Sequence, residues 1–499
     1  MNRRYSSIEW GKFDAWLLVP FIAALILRLI RLDTAALWLD ETFTARWVAL
    51  PWAEMLRAVV ADNHLPLYFV ALKAWTSIAT DSPWSLRLFS VLLSWAMVPL
   101  VAATAATLSG RSAARWAAWL SALSPYLLQH AQDARMYAML GFLAAIHLLL
   151  VARFVVGHTK QLGFGFLAVN AAMLATHYYA VFLVAVEVPV LFLLQRSRWR
   201  AWLPVLVTSC VLFVGPILAA KYLATPHAGG NYEGMGLIAL PGMVWALLTG
   251  YTLMPSSDDL HGTGLRAALP YVPVALLAFC ALALIAWRAL RSLPGPAWIL
   301  LLGQVLGVLL GPLAMSLVFD IGINPRYAMT AAPAFFVFLA VGLATTANQR
   351  LGWAAAAALL AVISIASYLH LKDPGHGRED VLAAGAWLDR NVPIDEAILI
   401  TSEELAILAR FHWPQRRFVL YPEKRTIVGS NNVDAVAAAL PLANQQRVIF
   451  MIGREWLSDP EGLLVTTLRK RHRDCEGAKL RGIRIVCLNP TAPQDKVGN

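Results

Sequence analysis

Apolar runs of about 20 residues recur along the chain from Ala15 to Leu371, and the part after Lys372 is an ordinary soluble sequence. Each run is long enough to cross the hydrocarbon core of a bilayer as a helix. Comparing the runs with the charged loops between them gives eleven predicted spans, and up to thirteen are possible. The predicted spans cover residues 15–32, 87–108, 115–130, 134–152, 163–177, 178–194, 201–222, 268–287, 297–319, 327–345 and 353–371.

The soluble part after Asp373 shows helix and strand patterns in alternation, which is typical of a small α/β layer. The predicted helices cover 379–391, 403–411, 433–440 and 460–470, the predicted strands cover 397–401, 418–421 and 447–452, and a hairpin covers 475–488. The predicted fold is therefore a polytopic α-helical membrane protein with a C-terminal soluble α/β domain. The membrane domain covers residues 1–371 and the soluble domain covers residues 372–499.

The soluble domain lacks the signs of a second active site. No glycine-rich nucleotide fingerprint follows a strand, and no cluster of residues there is typical of catalysis. We therefore expect the domain to serve in positioning or in recognition of an acceptor. Its basic run from Arg469 to Arg473 either contacts anionic envelope lipid or glycan or is a solvated helix end. Cys475 and Cys487 flank the hairpin and could pair if this part is exported, and no cysteine spacing is typical of zinc.

The charge pattern orients the predicted spans. Only 14% of the residues are charged and 59% are hydrophobic, whereas a soluble domain is about a quarter charged. The net charge is +11, but Lys and Arg cluster in short loops on one side of the membrane, which we assign to the cytoplasm, and we exclude a nucleic-acid partner. These loops are 110–115, 153–160, 196–200, 288–291 and 349–350. The outer side of a bacterial inner membrane then holds residues 33–86, 129–136, 176–179, 222–267, 320–326 and the soluble domain.

Two apolar stretches allow more than one interpretation. Residues 1–36 could be a cleaved signal peptide, but Arg28 lies inside the run, Arg31 follows it and an odd number of spans is needed, so we favour a retained anchor. The stretch from Pro66 to Ile78 is short, and counting it as a span would move a basic loop to the outside. We expect it to form a helix that lies in the outer interface.

Polar motifs collect at the predicted outer boundary of the membrane. Asp40 and Glu41 are adjacent carboxylates directly after the first span, and charges beside hydrocarbon are costly unless they are used or paired. Further polar motifs at this boundary begin at His64, Ser85, Gln132, Thr176 and Asn324. We expect these motifs to line one pocket.

The order and placement of these motifs resemble the bacterial branch of the GT-C membrane glycosyltransferases, relatives of the lipid A aminoarabinose transferases and protein O-mannosyltransferases. The resemblance covers essentially the whole chain. Leu65 stands where the family usually has proline and Asp133 where many members have glutamate, so the subfamily stays open. The matching motifs are Leu39-Asp40-Glu41, His64-Leu65-Pro66-Leu67-Tyr68, Arg87 with Ser90, Asp133-Ala134-Arg135-Met136-Tyr137, and Arg326-Tyr327 with Pro333.

The resemblance implies an inverting transfer of a sugar from a polyprenyl-phosphate donor to an envelope acceptor. It implies Asp40 as the general base, and we expect Glu41 to orient Asp40 or to contact the acceptor. Asp133 would bind sugar hydroxyls or help to hold a divalent cation. The candidate holders of the donor phosphate are Arg326, Arg135, Arg87 and Lys221. The candidate substrate-binding residues are His64, Tyr68, Tyr137, His177, Tyr178 and Tyr327.

Several alternatives stay open. A metal site could use Asp40, His64 and Asp133, but their spacing does not require one. Arg87 could equally anchor a helix end, and the histidines could pack instead of binding ligands. The outer loop 222–267 is long enough to be a lid over the donor site.

The acceptor is lipid A, a lipopolysaccharide core or other glycan, or a protein. A transporter or flippase of lipid-linked sugars is the alternative function, although it should carry ionisable groups near the bilayer centre. A non-catalytic scaffold or receptor for envelope polymers is a third possibility.

Overall fold

The computed structural model describes residues 14–211, 239–319, 323–346, 350–373, 375, 377–422, 426–440, 447–470 and 472–490. The chain folds as two compact units. The membrane unit consists of Met1–Asp33, Thr44–Met254 and Pro270–Pro374, and the C-terminal unit consists of Thr34–Phe43, Pro255–Leu269 and Gly375–Asn499. A short segment near the start of the chain therefore belongs to the unit formed by its end.

Helices account for the first three quarters of the chain. Helix α2 continues from the C-terminal unit into the membrane unit, and α13 lies in the C-terminal unit. The helices are α1 (Leu18–Leu29), α2 (Leu39–Ala49), α3 (Trp52–Ala61), α4 (Leu67–Thr76), α5 (Pro83–Ser109), α6 (Arg111–Leu123), α7 (Pro125–Ala131), α8 (Tyr137–Val155), α9 (Phe164–Thr176), α10 (Ala180–Gln195), α11 (Leu203–Ser209), α12 (Ala239–Thr249), α13 (Ser257–Thr263), α14 (Val272–Ser292), α15 (Gly295–Phe319), α16 (Ala332–Ala344) and α17 (Arg350–Lys372).

Within the described ranges, seven helices are long and apolar enough to cross a membrane. These are Pro83–Ser109, Tyr137–Val155, Ala180–Ala201, Gly264–Ser292, Gly295–Val318, Pro325–Ala344 and Arg350–Lys372. Shorter apolar helices cover Ala15–Leu29, Phe164–Thr176 and Ala239–Thr249. The chain is a multi-pass membrane protein. The short apolar stretch after Pro66 forms α4, a helix of 10 residues, as its length predicts.

Helix α5, which has 27 residues, has clear start and stop signals. The Ser82 side chain accepts a hydrogen bond from the Ser85 amide, and Pro83 occupies the first turn, where its missing N–H costs nothing. The helix ends at Gly110, whose φ of 92° is strained for any residue with a side chain. Helix α6 follows and packs against α5 with buried alanines, which allow close approach of two membrane helices.

Arg28 holds the first helix within the membrane unit. Its side chain is completely buried. The guanidinium donates to Ser94 Oγ at 2.9 Å, to the Ala24 carbonyl at 3.1 Å, to the Ala122 carbonyl at 3.2 Å and to the Ser121 carbonyl at 3.0 Å. A buried arginine is tolerated when its donors are satisfied in this way.

Helices α10 and α15 pack through a row of glycines. A Cβ added at Gly303 would lie 2.5 Å from Val190 Cγ2. One at Gly307 would lie 2.6 Å from Val186 Cβ, which is closer than real Cβ atoms approach. The two rows of residues run at helical spacing, so the missing side chains let the helix backbones come together.

The C-terminal unit contains a six-stranded mixed sheet in the order β2-β1-β3-β6-β4, with β5 also paired to β6. Strand β1 pairs in parallel with β2 and β3, and β6 runs antiparallel to β3, β4 and β5. The strands are β1 (Ile398–Ile400), β2 (Phe418–Leu420), β3 (Val448–Ile452), β4 (His472–Asp474), β5 (Ala478–Leu480) and β6 (Ile483–Pro490). The helices are α18 (Val381–Asn391), α19 (Glu403–His412), α20 (Val433–Ala438) and α21 (Leu463–Arg469).

This unit matches the elements that the sequence predicts, including the order of helices and strands. Cys475 and Cys487 form a disulfide with their Cα atoms 5.0 Å apart. The apolar core on one side of the sheet contains Val381, Leu388, Ile398 and Ile449, and it also contains Leu39 from the segment Thr34–Phe43. The α/β fold is therefore completed by residues that precede most of the membrane helices.

Candidate functional site

The predicted base and its neighbour lie in the first turn of α2, inside the segment that belongs to the C-terminal unit. Asp40 is half-buried and Glu41 is completely buried. The Trp38 amide donates to Glu41 Oε2 at 3.4 Å, and the Thr42 hydroxyl donates to the Leu39 carbonyl at 2.7 Å. Glu41 thus closes half of a capping box, a role that fixes the start of the helix beside Asp40.

In the membrane unit, Asp133 and Arg135 lie in the turn between α7 and α8. They are 3% and 4% exposed. The Arg135 amide donates to the Asp133 carbonyl at 2.8 Å. The Arg135 guanidinium donates to Thr44 Oγ1 at 3.3 Å and to His64 Nε2 at 2.7 Å, and it lies 6.0 Å from the centroid of the Phe69 ring. The structure therefore brings Arg135 and His64 together.

The contact with Arg135 fixes the tautomer of His64. A guanidinium has no acceptor, so His64 Nε2 must accept and the proton must be on Nδ1. His64 Nδ1 lies 2.8 Å from the Asp62 carbonyl and 3.1 Å from Asp62 Oδ2, which both accept. Both ring nitrogens are therefore engaged. Among the described residues, no group of three or more His, Cys, Asp or Glu side chains is arranged to hold a metal ion.

Arg326 lies among aromatic rings. Its guanidinium carbon is 5.6 Å from the centroid of the Tyr137 ring. The Tyr126 hydroxyl donates to the Pro325 and Arg326 carbonyls at 3.1 and 3.2 Å, which holds the turn before α16 in place. The His177 ring lies 5.5 Å from the Tyr137 ring. Four of the predicted site residues, Tyr137, His177, Arg326 and Tyr327, thus form one cluster.

Tyr179 belongs to this cluster, and the sequence prediction named its neighbour Tyr178 instead. The Tyr179 and Tyr327 rings stack with centroids 3.9 Å apart and an angle of 18° between their planes. Burial, with a smaller contribution from Tyr137, raises the pKa of Tyr179 to about 12, so its phenol keeps its proton at neutral pH. Burial also raises the pKa of Tyr178, which is half-buried. His177 is followed by two consecutive tyrosines, and this repeat was the signal in the sequence that could have identified Tyr179.

Solved structures match almost the whole chain. It is similar to the crystal structure of ArnT from Cupriavidus metallidurans in the apo state, with a TM-score of 0.55, 12% identity and coverage of 95% of this chain and 97% of that one. For ArnT bound to undecaprenyl phosphate, the TM-score is 0.51, the identity is 14%, and the coverage is 95% and 98%. The chain is also similar to the oligosaccharyltransferase AglB from Archaeoglobus fulgidus in complex with an inhibitory peptide and a dolichol-phosphate. The TM-score is 0.50, the identity is 13%, and the match covers 97% of this chain and 75% of that one. No family sequence model and no curated protein sequence matches the chain.

ArnT, a lipid A aminoarabinose transferase, and AglB are both GT-C glycosyltransferases. The chain has the GT-C fold. The predicted fold class, a helical GT-C-like membrane protein with a C-terminal α/β domain, is therefore confirmed. The identities of 12% to 14% make this a conclusion about fold.

Other predicted site residues make contacts inside the membrane unit. Arg87 is buried and donates to the Leu32 carbonyl at 2.9 Å, as a helix-anchoring arginine would. Tyr68 is also buried, and its hydroxyl lies 3.3 Å from Ser90 Oγ. Lys221 and the first part of the predicted lid lie outside the described residues. The later part of the lid forms α12 and α13, and α12 is largely buried in the membrane unit.

A second polar cluster was not predicted. Five buried side chains from α8, α9, α10, α11 and α15 form one network: His147, Asn170, Glu187, Ser209 and Gln304. His147 lies 2.9 Å from Asn170 Oδ1 and 3.1 Å from Glu187 Oε1, Asn170 Nδ2 donates to Ser209 Oγ at 3.2 Å, and Gln304 donates to Glu187 Oε1. The pairing requires one proton shared between His147 Nε2 and Glu187 Oε1.

This network corrects the expectation that the polar groups collect at the outer edge of the membrane. His147 and Glu187 lie in the middle of α8 and α10, away from both helix ends. The sequence signal was Glu187, an acidic residue inside a predicted span. Ionisable residues in such positions are costly and are paired within the bundle, as these are.

Proposed function

We propose that the protein is a membrane glycosyltransferase that moves a sugar from a polyprenyl-phosphate donor to a cell-envelope acceptor at the outer face of the bacterial inner membrane. The GT-C fold supports the reaction class, and the basic loops predicted on the opposite side support the orientation. The solved relatives bound to undecaprenyl phosphate and to dolichol-phosphate support the class of donor. The acceptor class remains lipid A, another envelope glycan or a protein.

The observation that carries this proposal is the contact of Arg326 with Tyr137 in the membrane unit. Arg135 precedes Tyr137 by two residues, and the Arg326 guanidinium packs on the Tyr137 ring. Tyr137 is also the first residue of α8, a helix of 19 residues whose dipole favours an anion at its start. A guanidinium at the start of a helix suits a phosphate that gains negative charge as the sugar leaves.

In the proposed reaction, Asp40 accepts the proton from an acceptor hydroxyl as that oxygen bonds to the anomeric carbon. The bond from the anomeric carbon to the phosphate oxygen breaks at the same time, and the lipid phosphate departs with the electron pair. A single displacement of this kind inverts the anomeric centre. The arginines reduce the need to protonate the leaving group, so one carboxylate base suffices.

The other polar groups have supporting roles in this proposal. Asp133 binds sugar hydroxyls beside Arg135. Glu41 supports Asp40 through its bond to the Trp38 amide, which fixes the first turn of α2. The aromatic cluster supplies ring faces for the sugar, and sugars commonly pack on such faces because their C–H groups are weakly positive.

The test is transfer by the purified protein from defined polyprenyl-phosphate sugars to envelope fractions, with products identified by mass. Asp40→Asn keeps the size of the side chain and removes the base, so we expect the rate to fall by about 10²- to 10⁴-fold. Asp33→Asn is the matched control because Asp33 is exposed and lies seven residues earlier. Transfer by Asp40→Asn at the wild-type rate would show that Asp40 is not the base.

A transporter or flippase of lipid-linked sugars is the second candidate, and the buried His147–Glu187 pair favours it because ionisable pairs inside membranes often mark proton or substrate paths. Movement of a fluorescent polyprenyl-phosphate sugar across proteoliposome membranes distinguishes the two functions. A transporter would lose this movement in Glu187→Gln. A transferase would form product with Glu187→Gln and lose it with Asp40→Asn.

A further inference from the structure

The segment that carries Asp40 is part of the core of the C-terminal unit. Leu39, the residue before Asp40, is 4% exposed and lies in the same apolar core as Val381, Leu388 and Ile449. Trp38 and Phe43 pack against this core from either side of Asp40 along the chain. The residue proposed as the base is thus flanked by side chains that the α/β domain holds.

A side chain of the domain also binds the backbone of this segment. His412, the last residue of α19, has its Nε2 atom 2.8 Å from the Leu37 carbonyl oxygen, across 375 residues of sequence. The carbonyl oxygen can only accept, so Nε2 carries a proton and donates it. Leu37 lies two residues before the start of α2 and is 3% exposed, so water does not replace this bond easily.

Two further contacts fix the same turn. The Arg378 guanidinium lies 4.9 Å from the centroid of the Trp38 ring, within the range of a cation–π contact. The Trp38 amide in turn donates to Glu41 Oε2. The C-terminal domain therefore restrains three successive residues, Leu37 to Leu39, by a hydrogen bond, a ring contact and burial in its core. Because these contacts fix the first turn of α2, the side chain of the next residue, Asp40, has little freedom to change direction.

We propose that His412 is a positioning residue for the transfer reaction, acting through the Leu37 carbonyl to set the start of α2 and with it the direction of the Asp40 carboxylate. This inference rests on the proposed function of Asp40. It gives the C-terminal domain a part in catalysis without any contact with the substrates. The domain holds the segment that carries Asp40 in place, and His412 makes the most specific contact with that segment.

The experiment compares His412→Leu, which removes the donor, with His412→Gln, whose amide nitrogen can donate to the same carbonyl. His472→Leu is the matched control, because His472 lies just after a helix of the same domain and its Nδ1 atom is 3.1 Å from the Leu468 carbonyl of that helix. One readout is hydrogen exchange of the full-length protein in the first turn of α2, where the Thr42 amide donates to the Trp38 carbonyl at 2.9 Å. The other readout is transfer from a polyprenyl-phosphate sugar.

We expect His412→Leu to speed exchange of the first turn about fivefold, the effect of one hydrogen bond of about 1 kcal/mol. The same variant should lower kcat about 10- to 100-fold with little change in the KM of the donor, because a small misplacement of a reacting group costs this much. His412→Gln should restore both, and His472→Leu should change neither. Unchanged exchange in His412→Leu would overturn the inference, and so would faster exchange with wild-type kcat.

A second variant covers the case in which His412→Leu does not fold. If His412→Leu unfolds the domain, His412→Asn takes its place, since the shorter amide is polar but does not reach the Leu37 carbonyl. Equal exchange and kcat in His412→Asn and His412→Gln would then overturn the inference. If the wild-type protein transfers no sugar while its exchange responds to these substitutions, the proposed function is wrong and the attachment of the segment by His412 is supported.

Discussion

Arg135 donates a hydrogen bond to His64 Nε2 at 2.7 Å, and this contact joins two motifs that are 71 residues apart in sequence. The bond orients the His64 ring and holds the Arg135 guanidinium beside Thr44 and Phe69. Arg135 is 4% exposed, so bulk water screens its charge only weakly. The pair is a fixed cationic group at the edge of the proposed donor site.

Substitution of Arg135 tests its role toward the donor phosphate. Arg135→Ala should lower kcat/KM for the polyprenyl-phosphate sugar about 100-fold or more, because charge-assisted contacts with the departing phosphate are lost. Steady-state transfer rates at several donor concentrations measure this. Arg57→Ala removes an exposed arginine from α3 and should leave kcat/KM unchanged. A similar loss in both variants would contradict a specific phosphate contact.

Removing the buried Arg28 should destabilise the membrane unit. Arg28→Met keeps the length of the apolar stem but leaves Ser94 Oγ and the carbonyls of Ala122 and Ser121 without their donor. We expect a loss of about 3 kcal/mol, since each buried polar group without a partner costs about 1 to 3 kcal/mol. Thermal unfolding in detergent checks this, with the exposed Arg111→Met as the control. Equal melting temperatures would contradict the role assigned to Arg28.

The close packing of α10 and α15 predicts a strong effect of side-chain size at Gly307. Gly307→Leu would collide with Val186, and relief of the collision should cost about 1 to 3 kcal/mol or separate the helices. Gly165 in α9 has open space around its Cβ position, so Gly165→Leu should be tolerated. Melting temperatures of the two variants test this directly. Tolerance of leucine at both positions would mean that these helices are not in close contact.

The environment of His412 predicts a pH dependence of the stability of the C-terminal unit. Burial lowers the pKa of His412 below its ordinary value of 6.5, although the bond to Leu37 and the charge of Glu41 oppose this. Since the folded state binds this proton less readily than the unfolded state, its stabilising contribution is complete above pH 6.5 and is lost as pH falls through the lower folded pKa. Hydrogen exchange of β3 in the full-length protein between pH 5 and pH 8, corrected for intrinsic rates, measures this contribution. His412→Gln should make the stability of the C-terminal unit depend less on pH. An unchanged pH dependence in this variant would contradict the role of His412.

The sequence predicts much of the fold because hydropathy and local alternation determine it. The first helix, the short helix after Pro66 and the elements of the α/β domain follow from apolar periodicity and turn residues. The disulfide between Cys475 and Cys487 follows from a hairpin that brings its flanks together. These features depend on residues that are close in sequence, so one amino-acid sequence is enough to predict them.

The candidate site was predicted only in part, because its remaining contacts join distant segments. The motifs identified Arg135, His64 and Arg326, but the choice of Tyr179 over Tyr178 as the partner of Tyr327 depends on how a short turn is packed. The bond from His412 to Leu37 has no local signal at all. The His147–Glu187 pair required knowledge of which helices are neighbours.

The burial of Leu39 in the core of the C-terminal unit has a consequence for biosynthesis. Residues 34–43 leave the ribosome well before the strands that pack with Leu39. Domains generally fold as units when their sequence is complete. The acidic segment therefore has no core to pack against until the α/β domain has been made, and a chain cut short before that domain would leave Asp40 without these contacts.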